Sequence, residues 1–180
     1  ILQSHNNQPK EYGFHLTLTD VVEIKPNQIS QVFRRVGIIC AIPLFKNIML
    51  RPTKLGIMPN ANIYALQFYN SVKLWLLHFL LVMYVQTLGN DSGYRHSRAK
   101  MSLWQKIKIK YFLSPYIFDD FLPHISLTSN IEEDNISKIK KLLQSQLFND
   151  NQIRLDTLSV IIKQNDSQFF EIAKAIALKN

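Results

Sequence analysis

Two histidines occur in the same short pattern, far apart in the chain. The first copy is His15-Leu16-Thr17-Leu18 and the second is His124-Ile125-Ser126-Leu127. Each copy is a histidine, an apolar residue, a small hydroxyl residue and another apolar residue. Because successive side chains of a β-strand point to opposite faces, each copy predicts a strand that packs its apolar residues into a core. The histidine and the hydroxyl residue then share the other face.

Two imidazoles and two hydroxyl groups in one cleft suit chemistry at a phosphate ester. Histidine titrates near neutral pH, so one ring can take a proton from water or a ribose hydroxyl while the other protonates the leaving oxygen. The hydroxyls of Thr17 and Ser126 can donate hydrogen bonds to phosphoryl oxygens, where negative charge lies in the transition state. We therefore expect two strands that face each other, with His15 and His124 as catalytic residues and Thr17 and Ser126 as phosphate ligands.

The sequence around both motifs resembles the 2H phosphoesterase superfamily, which carries paired His-x-Thr/Ser-x motifs. It is most similar to the DUF1045 branch, which is linked with phosphonate metabolism. The first motif resembles that branch through Tyr12-Gly13-Phe14-His15-Leu16-Thr17. The second motif follows Ser114-Pro115-Tyr116 and Phe118-Asp119-Asp120-Phe121, and residues 153–160 resemble a late strand of the family.

The resemblance implies an α+β fold with two lobes, similar to RNA ligase and cyclic phosphodiesterase folds, with antiparallel sheets around a central cleft. The lobes would be residues 12–89 and 94–180 of a single domain, without an N-terminal strand that the family usually has. The implied activity is metal-independent hydrolysis of a cyclic phosphate or phosphodiester, without a cofactor. Pro123 departs from the family pattern, and it predicts that the second strand begins there or forms an edge.

Further substrate contacts are expected from residues near the motifs. Tyr12 and Tyr116 lie in the matching flanks, and the basic segment 94–100 contains Arg95 and Arg98. A guanidinium group pairs with phosphate through two hydrogen bonds, so either arginine could reach the substrate from a flap. A solvated connection is the simpler interpretation of this segment.

Composition limits the partners and the compartment. The chain has 180 residues, 47% of them hydrophobic, and a net charge of +8, which favours anionic partners such as phosphate, nucleotides or RNA without choosing among them. The resemblance implies a small phosphorylated substrate, such as a cyclic nucleotide, a ribose cyclic phosphate or a phosphonate ester. The single Cys40 lies in an apolar run and predicts a buried thiol in a reducing, cytoplasmic setting. The apolar segment 74–85 is too short to span a membrane.

Periodicity and turn residues predict the other elements. Helices are expected at 28–35, at 70–88 with His78 in the core or at its rim, and after 129–134. For residues 101–112 periodicity alone favours a strand, but their position in the resembled family implies a helix, with Lys106, Lys108 and Lys110 on a solvated face. Strands are expected at 12–24, where residues 20–24 either continue the strand or leave it, at 63–68 beside 47–58, and at 153–164 and 169–178 joined by a hairpin turn. Gly89 is expected to end the second helix.

Three rival functions remain open. A zinc site would have to recruit His5 or His96, because zinc usually has three or more protein ligands. A nucleotide- or RNA-binding module could use the same cleft without turnover. A membrane-associated protein anchored by residues 72–85 would depend on detergent.

Overall fold

The computed structural model describes residues 15–58, 63–92, 101–129, 137, 141, 152–163 and 170–178. It combines helices with antiparallel strands, so the predicted α+β class is confirmed. The helices are α1 (Ile29–Cys40), α2 (Val72–Tyr84) and α3 (Leu103–Phe112). The strands are β1 (Val22–Glu23), β2 (Ile48–Leu50), β3 (Pro52–Ile57), β4 (Ile63–Phe68), β5 (Asp91–Ser92), β6 (His124–Ser129), β7 (Ile153–Leu155), β8 (Thr157–Ile162) and β9 (Glu171–Ala177).

The sheet that carries the second motif has the order β3-β4-β6, and both pairings are antiparallel. Strand β4 has the predicted bounds and lies at its centre, with five of its six residues buried. Its apolar residues Tyr64, Leu66 and Phe68 alternate toward the core. The remaining described strands pair as β1-β5, β2-β7 and β8-β9.

Local sequence signals fix where the helices begin and end. The hydroxyl of Ser71 accepts a hydrogen bond from the Leu74 amide and caps α2. Ser102 and Gln105 form a reciprocal capping box at the start of α3, which settles the helix expected at 101–112. That helix ends at Leu113 in the left-handed conformation.

One hydrophobic core joins the elements. It contains α1 and α2 residues, the inward side of β4, and Leu158 and Leu178 from the C-terminal hairpin. Cys40 lies in this core as predicted, and burial raises the pKa of its thiol to about 11. Within the described part of the chain, no helix combines the length and apolar character needed to cross a bilayer.

Gly89 ends the α2 region for a reason that the sequence did not reveal. Its backbone has φ −66°, which any residue can adopt. A Cβ atom at this position would lie 2.7 Å from the Cβ of Val22. Glycine is therefore needed here because the chain passes close to β1, and not because of a left-handed turn.

Several predicted elements have different bounds in the structure. The strand expected at 12–24 is a single bridge at Leu16 followed by the short β1, and residues 12–14 lie outside the described ranges. The helix expected at 28–35 continues to Cys40. The strand expected at 153–164 divides at Asp156 into β7 and β8, which pair with different partners. Most of the helix expected after 129–134 lies outside the described residues.

Candidate functional site

The structure brings the two histidine motifs together as neighbouring segments of one sheet. Leu16 forms an antiparallel bridge with Ile125, and Ile125 also pairs with Leu66 on its other side. Strand β6 therefore lies between β4 and the first motif. Instead of facing each other as expected, the two motifs lie side by side at the bridge. Strand β6 starts at His124, directly after Pro123, as the proline predicts.

The register decides which side chains share a face. Leu55, Leu66, Ile125 and Leu16 lie in one row across the sheet, and all four belong to the core or pack against it. Residues on either side of this row point to the opposite face, because side chains alternate along each strand. That opposite face carries the histidine and hydroxyl residues of both motifs. Thr17 is exposed, and His15, His124 and Ser126 are half-buried.

The bridge also gives the spacing of the four groups. Antiparallel pairing around Leu16 and Ile125 sets His15 opposite Ser126 and Thr17 opposite His124. Directly opposite residues have Cβ atoms about 4.5–5.5 Å apart, and the diagonal pair His15 and His124 is separated by about 7–8 Å. A tetrahedral phosphate fits between two imidazoles at that separation.

A local hydrogen bond orients the ring of His124. Its Nδ1 lies 2.8 Å from the carbonyl oxygen of Leu122. A carbonyl can only accept, so Nδ1 carries the proton. Nε2 is then a lone-pair acceptor in the neutral ring and a donor in the charged ring. The same atom could therefore act as base or acid toward a ligand.

Sequence reasoning missed two residues on this face. Gln67 pairs with His124 across β4 and β6, and Lys54 pairs with Gln67 across β3 and β4. Gln67 is buried and Lys54 is exposed. Neither lies in a recognisable motif, and only the strand register relates them to the histidines.

A buried histidine connects the backbone segments next to the two motifs. His78 of α2 lies 2.7 Å through Nδ1 from the Leu18 carbonyl, and its Nε2 accepts a hydrogen bond from the Phe118 amide at 3.3 Å. The ring also stacks on Phe121 at 3.8 Å between centroids. Desolvation lowers the pKa of His78, although its hydrogen bond to Leu18 works in the opposite direction. The predicted core role of His78 is confirmed.

A second polar network holds the end of the first motif. The buried side chain of Gln86 donates to the Phe112 carbonyl at 2.6 Å and accepts from the Asp20 amide at 3.2 Å. The Asp20 carboxylate accepts a hydrogen bond from the buried hydroxyl of Ser114. The chain leaving the first motif is thus tied to the ends of the α2 and α3 regions.

The acidic segment before the second motif is held by a buried lysine. Lys108 donates to the Ile117 carbonyl at 3.1 Å and to the carboxylates of Asp119 and Asp120. Its hydrogen bond lowers the pKa of Asp119. Desolvation would lower the pKa of Lys108, but the hydrogen bonds that it donates to both carboxylates and their negative charges outweigh this effect, and the pKa is raised. The expectation of a solvated lysine face is wrong for Lys108, which is 1% exposed, and holds for Lys106 and Lys110.

Of the other expected substrate contacts, Tyr116 lies within the described part of the chain. Tyr116 lies in the turn between α3 and β6, with an exposed ring and its amide donating to the Ser114 hydroxyl at 3.1 Å. Tyr12, Arg95 and Arg98 lie outside the described residues, as do His5 and His96. In the described part of the chain, no group of three or more His, Cys, Asp or Glu side chains is arranged to hold a metal ion.

The chain was compared with known proteins. No curated protein matches it. A family model does match, over residues 86–171, so the match includes the second histidine motif but begins well after the first. Over those residues the chain is similar to the family described as "Protein of unknown function (DUF1045)".

Proposed function

We propose that this protein is a 2H-type phosphoesterase, which hydrolyses a cyclic phosphate or a phosphodiester without a metal ion. The observation that carries the proposal is the bridge between Leu16 and Ile125. Through it, the histidine and hydroxyl pairs of both motifs share the face opposite the core. Paired acid–base groups beside hydroxyl donors are what phosphoryl transfer requires.

In the proposed reaction the substrate is a cyclic phosphate. Nε2 of His124 takes a proton from water as the water oxygen forms a bond to phosphorus. The bond from phosphorus to one ribose oxygen breaks, its electrons go to that oxygen, and protonated His15 supplies the proton. Thr17 and Ser126 donate hydrogen bonds to the non-bridging oxygens. The product is a phosphate monoester, and solvent restores both rings to their starting protonation states.

The proposal takes His124 as the base, and its hydrogen bond is compatible with that role. The Leu122 carbonyl keeps the proton on Nδ1, so the neutral ring presents the Nε2 lone pair. Metal independence rests on the donor set around the motifs, which consists of hydroxyl and imidazole groups. The nearby carboxylates of Asp119 and Asp120 are already engaged by Lys108.

The first test is turnover of a panel of 2′,3′-cyclic nucleotides, ribose cyclic phosphates and phosphonate esters. We expect His15→Ala and His124→Ala each to reduce kcat at least about a hundredfold, the usual contribution of general acid–base catalysis. We also expect activity to survive exhaustive chelation and to depend on pH as a bell. Circular dichroism of both variants checks that they remain folded.

The outcomes separate the rival functions. Near-wild-type turnover in either folded variant would contradict the acid–base assignment. Loss of activity on chelation, restored by zinc or manganese, would favour a metal site. Binding of nucleotides or RNA without turnover would favour a binding module.

A further inference from the structure

One row of donor side chains continues the candidate site across the sheet. The register aligns Thr17, His124, Gln67 and Lys54 on neighbouring strands, all on the face opposite the core. They present a hydroxyl, an imidazole, an amide and an ammonium group in that order. Each can donate a hydrogen bond to an anion. Adjacent strands are about 4.8 Å apart, so Lys54 starts roughly 10 Å from His124 at the backbone.

Gln67 has a weak partner for a buried amide. Its side chain is 8% exposed, and its Nε2 donates to the sulfur of Met58 at 3.6 Å. A thioether is a poor acceptor, so this contact satisfies the amide only in part. A ligand oxygen would be a stronger partner. Because Gln67 is the direct cross-strand neighbour of His124, its amide could reach a ligand bound beside that histidine.

Lys54 supplies the positive charge at the end of the row. Its Cε lies over Gly56, 3.6 Å from where a Cβ of that glycine would be. The side chain therefore folds over the same face and along β3. Among the described residues, Lys54 makes no hydrogen bond or ion pair. On the described part of this face, it is the residue that carries a permanent positive charge.

We propose that Gln67 and Lys54 bind a second anionic group of the substrate, next to the phosphate held by the two motifs. This rests on the proposed function and narrows its substrate class to phosphate esters that carry a further phosphate. The reacting phosphate lies between His15 and His124. The second phosphate lies farther along the row, where Gln67 turns from Met58 toward it and Lys54 neutralises it.

The test compares 2′,3′-cyclic AMP with the same nucleotide carrying a 5′-phosphate. We expect the 5′-phosphate to lower the wild-type KM about tenfold or more, because hydrogen bonds to charged groups are the stronger ones. In Lys54→Met the ratio of the two KM values should fall to about 1, and Gln67→Met should reduce it in part. Lys106→Met removes an exposed lysine of α3, outside the sheet, and should keep the wild-type ratio.

Calorimetry with adenosine 3′,5′-bisphosphate and 3′-AMP separates this inference from the proposed function. Equal KM values in the wild type, or a ratio that Lys54→Met leaves unchanged, would overturn the second-anion site while hydrolysis stands. A further outcome is that neither cyclic nucleotide is hydrolysed. If the bisphosphate then binds more tightly than 3′-AMP, and Lys54→Met abolishes this difference, the result supports the second-anion site and contradicts hydrolysis. Equal binding of the two ligands in that case overturns both.

Discussion

Replacing His78 by phenylalanine would test whether the core of α2 positions the two motifs. Phenylalanine preserves the ring and its stacking on Phe121, but it can neither donate to the Leu18 carbonyl nor accept from the Phe118 amide. Leu18 lies three residues after His15, and Phe118 lies six residues before His124. The substitution therefore loosens the backbone next to both motifs at once.

The loss of stability in His78→Phe can be estimated from the two hydrogen bonds that it removes. Leaving a buried polar group without its partner costs about 1–3 kcal/mol, and both backbone groups here are only part-buried. We take the lower half of that range for each and expect the free energy of unfolding to fall by about 2–4 kcal/mol. A typical domain has about 5–15 kcal/mol in total, so the variant should still fold.

The assay is denaturant unfolding together with amide hydrogen exchange. Exchange at the Phe118 amide should be much faster in His78→Phe, because that hydrogen bond is lost. Lys73→Phe places the same ring at an exposed position of α2, and it should change stability by no more than about 0.5 kcal/mol. A His78→Phe variant within that margin, with Phe118 exchange unchanged, would refute the reasoning.

The contribution of His78 to the free energy of unfolding should decrease as the pH falls. Desolvation lowers the pKa of His78 in the folded protein, so the unfolded chain binds the proton more tightly. The stability due to neutral His78 is fully present above the ordinary histidine value of about 6.5 and is lost as the pH falls below it. The difference between wild type and His78→Phe should therefore shrink on acidification. A difference that stays constant from neutral pH to mildly acidic pH would contradict this assignment.

Two further predictions concern buried groups. Lys108→Met should destabilise the protein by about 1–3 kcal/mol, because it leaves the Ile117 carbonyl without its donor and two neighbouring carboxylates without a counter-charge. Thermal unfolding measures this loss, with Lys106→Met as the control. Equal melting temperatures of the two variants would contradict the prediction. Cys40 should react with a disulfide reagent at pH 8 only after unfolding, because burial raises its pKa to about 11 and only the thiolate attacks. Rapid labelling of the native protein would contradict this prediction.

Local sequence patterns were sufficient to predict the strands and helices that are determined by their own residues. The alternation in residues 63–68 was sufficient for β4, and the apolar run around His78 was sufficient for α2. Lys108 shows the limit of this reasoning. The alternating lysines of α3 suggested a solvated face, but the partners of Lys108 are eleven and twelve residues farther along the chain. A helical pattern cannot reveal a partner that the following turn supplies.

The candidate site was predictable only in part for the same reason. The sequence of each motif predicts which side chains share a face of the strand, because the two-residue period puts His15 and Thr17 on one face and Leu16 on the other. How the motifs meet depends on strand register, which bulges within β3–β4 and β4–β6 shift by a residue. Gln67 and Lys54 could not be related to His124 without that register. A one-residue slip would turn them into the core.

Pro123 departs from the pattern that the motifs resemble, and its position has a physical consequence. Proline fixes its own φ and restricts the preceding residue to extended conformations, which limits how the Leu122 carbonyl can turn. That carbonyl accepts the hydrogen bond from Nδ1 of His124. Pro123 lacks an amide hydrogen, but its carbonyl accepts from the Phe68 amide and anchors the start of β6 to β4. The proline thus stiffens the short segment that sets the tautomer of His124, and the ring's Nε2 is directed by backbone geometry rather than by a carboxylate partner.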